Sequence, residues 1–312
     1  MRFLSCGAIC LLTGALVLGA CAGDEAQPDA STSAPGVDGG TPSTPTVPND
    51  PTPQPETSLV TTTSESMSVN GKDRVYLLSV PRNLDRARSY PLVMELHGSP
   101  STAEYQHALG PYDRASGADA IVVYPQAATA GDGSFNWDLS STKGNNADIA
   151  LLEALPNELK NKGFNVDPTK VFGYGYSGGG YFLQVYQCLG VDVFRAVYAS
   201  AGGAPESLST DSGGPITQRT ANGCVRCPGT PVPEIIAFGQ NDPSQGGDFQ
   251  ALCHAEAAGC NTSLPEGNGE TCVAYQGCPT QRPVTYCKVP GLGHEDWSEA
   301  IPRSWAFFET FL

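Results

Sequence analysis

Short apolar runs alternate with segments of helical spacing from about residue 60 to the C-terminus. Runs rich in β-branched and aromatic residues predict strands, and apolar residues that recur every three or four positions predict helices. The predicted strands are 66–80, 90–96, 120–124, 171–174, 194–200, 234–238 and 284–289, and the predicted helices are 103–117, 148–162, 180–189 and 305–312. This alternation favours right-handed crossovers and predicts an α/β fold with a mostly parallel central sheet and helices on both faces.

The N-terminal residues follow a different pattern. An apolar stretch over 8–18 follows Met1-Arg2 and is too short to span a bilayer, so it predicts a signal peptide over 1–20. The stretch ends Leu18-Gly19-Ala20-Cys21, which resembles the bacterial lipobox. That resemblance implies cleavage before Cys21 and lipidation of this cysteine, which would anchor the chain to a membrane. A plain secretory signal is the alternative.

Residues 21–58 are rich in Pro, Thr, Ser and Gly and contain little that could form a core, so they predict a disordered tether behind the lipidated cysteine. The remaining residues, 59–312, have the length of a single α/β domain. Ala22 is not the aspartate associated with retention at the inner membrane. We therefore expect an exported outer-membrane or cell-surface lipoprotein of a bacterium.

The charge balance bears on possible partners. The chain has 17 Lys and Arg residues against 32 Asp and Glu residues, a formal net charge of −15. A chain this acidic is not expected to offer the basic surface that nucleic acids require, so no nucleic-acid partner is predicted.

The cysteines indicate an oxidising compartment. Once the predicted signal peptide and Cys21 are set aside, an even number remains: Cys188, Cys224, Cys227, Cys253, Cys260, Cys272, Cys278 and Cys287. In an exported chain an even set predicts disulfides, although the pairing cannot be derived from the sequence. Cys224 and Cys227 could instead form half of a zinc site or a redox pair, but no second Cys-x-x-Cys matches them.

The segment 173–180 reads Gly-Tyr-Gly-Tyr-Ser-Gly-Gly-Gly and follows a predicted strand. It places Ser177 at the centre of Gly-x-Ser-x-Gly, where a strand turns sharply into a helix. Gly175 and Gly179 provide the small neighbours that such a turn requires, so the pattern predicts an exposed nucleophilic serine at the end of the strand. An ordinary Gly-Ser turn is the alternative, and the rest of the chain has to decide between them.

A histidine and an aspartate stand where partners of Ser177 are expected. His294 follows the last predicted strand and is a candidate base, and Asp242 follows the strand over 234–238 and is the candidate that orients the imidazole. Asp248 is the alternative acid. The chain order Ser177, Asp242, His294 is the order of an α/β-hydrolase, whose active site lies at the carboxyl ends of the strands.

Acyl transfer also needs donors for the oxyanion. The backbone N–H of Gly178, next to the predicted nucleophile, and that of Ser99, in the loop after an earlier strand, are the candidates. His97 precedes Ser99 in this loop and is expected to orient it.

These motifs resemble the feruloyl esterase and polyhydroxybutyrate depolymerase group of α/β-hydrolases. The resemblance covers nearly the whole domain, and Cys260, Cys272, Cys278 and Cys287 bring it closer to the feruloyl esterases. The matching stretches are 90–93, 97–98, 123–125, 136–137, 148–150, 171–180, 194–197, 258–260, 272–278, 283–287 and 293–294. Two departures are Tyr176, where the group usually has Leu or Phe, and Phe238-Gly239-Gln240, where His-Gly-Thr is common.

The resemblance implies an exported serine carboxylesterase that needs no cofactor or metal and forms an acyl-enzyme. Its implied substrate is a small hydroxycinnamate (feruloyl-type) ester or a feruloylated oligosaccharide. Trp137, Tyr176 and Tyr181 are candidates for an aromatic acyl site, with packing around the turn as the alternative. A depolymerase of short-chain polyesters such as polyhydroxybutyrate, and a non-catalytic surface-binding module, remain alternative functions.

Overall fold

The structure is a computed structural model that describes residues 59–206, 208, 216–244, 246–265 and 271–312. The predicted signal peptide, the lipidation site at Cys21 and the predicted tether lie outside the described residues. Within the described ranges, no helix combines the length and the apolar character needed to cross a membrane.

The strands of the described chain form one mostly parallel sheet. They are β1 (Val60–Val69), β2 (Lys72–Pro81), β3 (Tyr90–Leu96), β4 (Ile121–Pro125), β5 (Val166–Tyr176), β6 (Ala196–Ser200), β7 (Glu234–Gly239), β8 (Cys272–Ala274) and β9 (Val284–Val289). Their order is β1-β2-β4-β3-β5-β6-β7-β9-β8. The central pairs from β4 to β9 are parallel, whereas β1, β2 and β8 join the edges as antiparallel strands.

Helices cover both faces of this sheet. They are α1 (Ala103–Leu109), α2 (Tyr112–Ser116), α3 (Ala147–Asn161), α4 (Gly178–Cys188), α5 (Gly247–Ala258) and α6 (Ala300–Glu309). Side chains of α3 and α4 pack with Leu92 and Met94 on one face, and those of α1, α2 and α6 pack with Val93 on the other. Because Ile236 contacts α5 while its neighbour Ala237 belongs to the α6 side, α5 lies on the face opposite α6.

The predicted fold class is thus confirmed, although the elements differ from the predicted ones in several places, and two of these differences have a clear physical reason. The strand predicted over 66–80 is a hairpin, because Asn70 and Gly71 have φ values of 52° and 76° that suit a tight turn. The helix predicted over 103–117 is two short helices, because α1 ends at Leu109 with Gly110 as its cap, and Pro111 has no N–H with which to continue the hydrogen bonds.

The eight cysteines of the domain form four disulfides, as the even count predicted. The pairs are Cys188–Cys227, Cys224–Cys253, Cys260–Cys278 and Cys272–Cys287. Cys224 therefore pairs with a cysteine of α5 and Cys227 with a cysteine of α4, rather than with each other. The zinc and redox alternatives are wrong. Four disulfides are typical of a protein exported to an oxidising compartment.

Candidate active site

The turn between β5 and α4 holds Ser177 in a strained conformation. Its φ is 49° and its ψ is −114°, a backbone conformation that residues other than glycine rarely adopt. Its backbone N–H donates to the carbonyl of Ser200 at 2.8 Å. A Cβ at Gly175 would lie 2.5 Å from the carbonyl carbon of Gly179, so only glycine lets the strand and the helix approach this closely. The predicted strand-to-helix turn at Ser177 is therefore present, with the serine at its tip.

Ser177, His294 and Asp242 form a continuous hydrogen-bonded relay. Ser177 Oγ lies 2.9 Å from His294 Nε2, and His294 Nδ1 lies 2.6 Å from Asp242 Oδ2. The Asp242 side chain is buried, whereas that of His294 is 40% exposed. The three come from the carboxyl ends of β5, β7 and β9, the edge of the sheet where the strand order predicts a site.

Asp242 is held as a carboxylate by its hydrogen bonds. Burial would raise the pKa of Asp242, but the hydrogen bonds from His294 and Ser244 hold it below its ordinary value. Ser244 donates both its backbone N–H, at 2.9 Å, and its hydroxyl, at 2.7 Å, to Asp242 Oδ1. With Oδ1 occupied in this way, Oδ2 remains fixed toward the imidazole.

The loops that carry Asp242 and His294 pack backbone against backbone. A Cβ at Gly239 would lie 2.5 Å from the carbonyl oxygen of Leu292, and the N–H of Asn241 donates to that same oxygen at 2.8 Å. The close approach requires glycine at position 239, and it fixes the distance between the acid and the imidazole.

Ser99 and Gly178 lie side by side, as the prediction for the oxyanion donors requires. A Cβ at Gly178 would lie 3.0 Å from the backbone nitrogen of Ser99 and 2.6 Å from its Cβ. Both residues line the same cleft as Ser177 and His294.

Three buried side chains, those of His97, Gln126 and Trp137, hold the loop that carries Ser99. His97 Nε2 accepts a hydrogen bond from the backbone N–H of Ala127 at 3.1 Å, and Gln126 Nε2 donates to the same atom at 2.9 Å. Burial lowers the pKa of His97, so its ring stays neutral and keeps Nε2 as an acceptor. Trp137 donates its indole N–H to the His97 carbonyl at 2.7 Å.

Hydroxyls at the end of β5 and β6 hold the loop around His294. Tyr176 donates to the backbone carbonyl of His294 at 2.7 Å. Tyr174 donates a short hydrogen bond to Asp296, which also accepts one from Ser200 at 2.7 Å. Burial raises the pKa of Tyr176 to about 12, and this hydroxyl remains a donor at neutral and mildly alkaline pH.

A cleft of about 350 Å³ opens above Ser177, which is within the range of small-molecule sites. It is lined by the small residues of 201–204 and by the aromatic side chains of Tyr181 and Phe249. The ring of Tyr181 lies close to Gly203, where a Cβ would be 3.4 Å from the ring. Glu206 lies at the rim.

Some of the predicted residues do not reach this cleft. Tyr181 lines it, but Tyr176 turns its hydroxyl to the His294 loop, and Trp137 is 4% exposed and stacks on Phe182. Asp248, the alternative acid, instead pairs with Lys288 at 2.9 Å and accepts a hydrogen bond from Tyr286.

Three residues that shape the site were missed by sequence reasoning. Ser244 follows the Asp-Pro pair at a spacing typical of a turn that caps its own aspartate, which was an available signal. Asp296 follows His294 by two residues, yet nothing in the sequence shows that Tyr174 and Ser200 meet it. Phe249 gave no signal, because an apolar residue on a helix predicts core packing.

The chain is similar in sequence to feruloyl esterases and, over a shorter stretch, to a depolymerase. No protein-family profile matches the chain. A probable feruloyl esterase C of Aspergillus terreus is 27% identical over 250 residues, which cover 75% of this chain and 80% of that protein. A poly(3-hydroxyalkanoate) depolymerase C of Paucimonas lemoignei is 30% identical over 119 residues, which cover 36% of this chain and 28% of that protein.

Solved structures share the fold. An acetyl xylan esterase from Aspergillus awamori superposes with a TM-score of 0.59 and 17% identity, over 79% of this chain and 99% of its own. A ferulic acid esterase from Anaeromyces mucronatus, in complex with ferulic acid, superposes with a TM-score of 0.53 and 18% identity, over 83% of this chain and 93% of its own. The resemblance seen in the sequence is thus confirmed: the chain is a homologue of feruloyl esterases and polyhydroxyalkanoate depolymerases, and it is a carboxylic ester hydrolase with the α/β-hydrolase fold.

Proposed function

We propose that the chain is an exported serine esterase that hydrolyses hydroxycinnamate esters of the feruloyl type through an acyl-enzyme. The relay from Ser177 through His294 to Asp242 carries the proposal, because it supplies a nucleophile, a base and a carboxylate in hydrogen-bonding contact, and both Ser177 and His294 line an open cleft.

In acylation, His294 Nε2 takes the proton from Ser177 Oγ as this oxygen bonds to the ester carbonyl carbon. The π electrons of the carbonyl move to its oxygen, which accepts hydrogen bonds from the backbone N–H groups of Gly178 and Ser99. The carboxylate of Asp242 stabilises the imidazolium. When the carbonyl forms again, the bond to the alcohol oxygen breaks, and His294 returns the proton to the leaving alcohol.

In deacylation the same histidine takes a proton from water. The water oxygen bonds to the acyl carbon, and the oxyanion that forms accepts hydrogen bonds from the same two backbone N–H groups as before. When the carbonyl forms again, the bond to Ser177 Oγ breaks and this oxygen regains its proton from His294. The acid product leaves and the starting enzyme is restored, with no group required beyond those of this chain and water.

The cleft favours a flat, uncharged acyl group. Tyr181 and Phe249 present aromatic surface near Ser177, and the glycines at 202 and 203 leave space beside the Tyr181 ring. Burial raises the pKa of Tyr181, so its hydroxyl stays protonated and can pair with polar substituents on a phenyl ring. The feruloyl esterases among the relatives support this substrate class.

We further propose that the protein works outside the cytoplasm, attached to a membrane through a lipidated Cys21. The four disulfides support the exported location. The lipobox-like sequence ending at Cys21 supports the anchor.

Depolymerisation of a polyester is the second candidate, and the similarity to the depolymerase of Paucimonas lemoignei favours it. The same relay would act on hydroxybutyrate esters. A non-catalytic binding module is a weaker third candidate, because such a module has no use for the three-residue relay.

A panel of substrates tests the three candidates. We expect the purified chain to cleave methyl ferulate with a higher kcat/KM than soluble hydroxybutyrate oligomers and to clear a polyhydroxybutyrate film slowly. The matched control is Ser177→Ala, which should be inactive on all of them. Efficient film clearing without release of ferulate would select the depolymerase, and a folded chain that does not cleave even p-nitrophenyl acetate would select the binding module.

A further inference from the structure

The side-chain hydroxyl of Ser99 differs from the other hydroxyls around the site. Those of Ser177, Tyr176, Ser200 and Ser244 each make a hydrogen bond to a neighbouring residue. Ser99 Oγ is buried and pairs with no group of the described chain. A buried hydroxyl without a partner costs free energy, so its presence at a reaction centre calls for a physical reason.

The position of this hydroxyl supplies the reason. Ser99 Oγ lies against Gly178, the neighbour of the proposed nucleophile: it is the atom that a Cβ at Gly178 would meet first, ahead of the Cβ and the backbone nitrogen of Ser99. Ser99, Gly178 and Ser177 all line the cleft. The Oγ atom therefore lies beside Gly178, whose backbone N–H is one of the groups proposed to bind the oxyanion. The loop beneath it is fixed by Trp137, whose indole holds the His97 carbonyl.

We propose that the hydroxyl of Ser99 is a third oxyanion donor, which supplements the two backbone N–H groups. This inference rests on the proposed serine esterase mechanism. As Ser177 Oγ bonds to the carbonyl carbon, negative charge moves onto the carbonyl oxygen, and the Ser99 O–H turns to donate to it. When the carbonyl forms again and the leaving group departs, the oxygen loses this charge and the hydroxyl becomes unpaired once more. No proton is transferred to or from Ser99.

The free enzyme's unpaired hydroxyl makes this interaction selective for the transition state. The donor has no competing partner to release, so turning it toward the developing charge breaks no hydrogen bond to another group of the described chain. A neutral ester carbonyl is a weaker acceptor than an oxyanion, so the hydroxyl contributes more to the rate than to substrate binding. Folding has already removed the group from water, and its removal by mutation relieves that cost.

Ser99→Ala separates this role from a structural one, because it removes the hydroxyl and keeps the backbone N–H. We expect kcat/KM for p-nitrophenyl acetate to fall by about 100-fold, the usual effect of losing one oxyanion donor. The melting temperature should stay the same or rise. Phenylboronic acid, which forms a tetrahedral adduct on the serine, should bind more weakly by a similar factor, while inhibition by ferulate should not change.

Two further variants complete the test. Ser99→Cys keeps a side chain of similar size but has a weak donor, and we expect it to be nearly as slow as Ser99→Ala. Ser101→Ala removes a hydroxyl from the same loop at a residue that does not line the cleft, and it should behave as the wild type.

The inference is overturned if Ser99→Ala changes kcat/KM by less than about threefold, the size of an ordinary hydrogen bond. It is also overturned if a loss of rate comes with a lower melting temperature and unchanged inhibition by phenylboronic acid. Either result leaves the proposed function intact as long as Ser177→Ala is inactive. An active Ser177→Ala would instead remove the mechanism itself.

Discussion

The hydroxyl of Tyr176 donates a hydrogen bond of 2.7 Å to the backbone carbonyl of His294. The residue directly before the proposed nucleophile thus holds the residue proposed as its base. Two positions earlier on the same face of β5, Tyr174 holds Asp296 in the same loop. The strand that carries Ser177 therefore also holds the loop that carries the His294 imidazole.

Replacing Tyr176 by Phe tests this coupling. The change removes the hydroxyl and leaves the ring, so the backbone of His294 loses one hydrogen bond that holds the imidazole in place. We expect kcat to fall by about 2- to 10-fold, the effect of one neutral hydrogen bond, with KM nearly unchanged. Steady-state kinetics on methyl ferulate would measure both constants.

Tyr186→Phe is the matched control. The Tyr186 side chain is buried in the core and does not line the cleft, so the loss of its hydroxyl should leave the kinetics unaltered. Equal effects of the two substitutions, or a Tyr176→Phe effect confined to KM, would count against a positioning role for Tyr176.

Much of this site follows from the order of residues along the chain. Ser177, Asp242 and His294 each follow a predicted strand, and parallel strands bring their carboxyl ends to one edge, so their proximity was predictable. The partners of Tyr176 and Trp137 could not be predicted from the sequence. An aromatic residue next to a turn can face the ligand, the core or another loop, and the local sequence pattern is the same in each case. Only the packing of distant loops decides among these.

Loss of a member of the relay should abolish activity without unfolding the chain. Because the three residues act as a unit, we expect Ser177→Ala or His294→Ala to lower kcat by about 10⁴- to 10⁶-fold. Asp242→Asn should also be severe, because an amide does not keep the imidazole in the required tautomer. Kinetics on p-nitrophenyl acetate and circular dichroism would be compared across the variants. A folded Ser177→Ala variant with near wild-type turnover would disprove the assignment of the nucleophile.

The pH profile should show one ionisation on the acid side. His294 must be neutral to accept a proton, so kcat/KM should fall at acidic pH, where the base is protonated. Hydrogen bonds hold the pKa of Asp242 below its ordinary value despite burial, so this carboxylate is still charged there.

On the alkaline side we expect a plateau to at least about pH 9. The pKa of Tyr176 is about 12, so this hydroxyl keeps its proton and its bond to the His294 loop. The profile would be measured under conditions in which chemistry limits the rate. A flat acid side, or two ionisations in place of one, would contradict the assignment of His294 as the single base.

The disulfides should differ in their contribution to stability. In the chain-entropy account, a cross-link stabilises more when it closes a longer loop, and typical values are about 2–4 kcal/mol per bridge. Cys188–Cys227 spans 39 residues and Cys272–Cys287 spans 15. We therefore expect the double variant Cys188→Ala/Cys227→Ala to lose about 1 kcal/mol more free energy of unfolding than Cys272→Ala/Cys287→Ala. Denaturant unfolding of both variants would measure the difference, and the reverse order would refute the entropic explanation here.

The aromatic side chains of the cleft should decide which acyl group is preferred. Tyr181 and Phe249 line the space above Ser177. The proposed mechanism gives neither side chain a part in proton transfer or oxyanion binding. Replacing either by Leu keeps apolar volume and removes the ring, so stacking on a flat acyl group is lost. We expect Tyr181→Leu and Phe249→Leu each to lower kcat/KM for methyl ferulate by about 3- to 10-fold, in line with aromatic pairs worth about 0.5–1.5 kcal/mol. Hydrolysis of p-nitrophenyl acetate, whose acyl group has no ring, should change far less.

Trp137→Phe is an informative comparison, because Trp137 lies outside the cleft and holds the His97 carbonyl. Its loss should slow both substrates by a similar factor. Equal losses on ferulate and acetate for Tyr181→Leu and Phe249→Leu would place the acyl group elsewhere, since only a residue that touches the acyl ring can change the preference between these two esters.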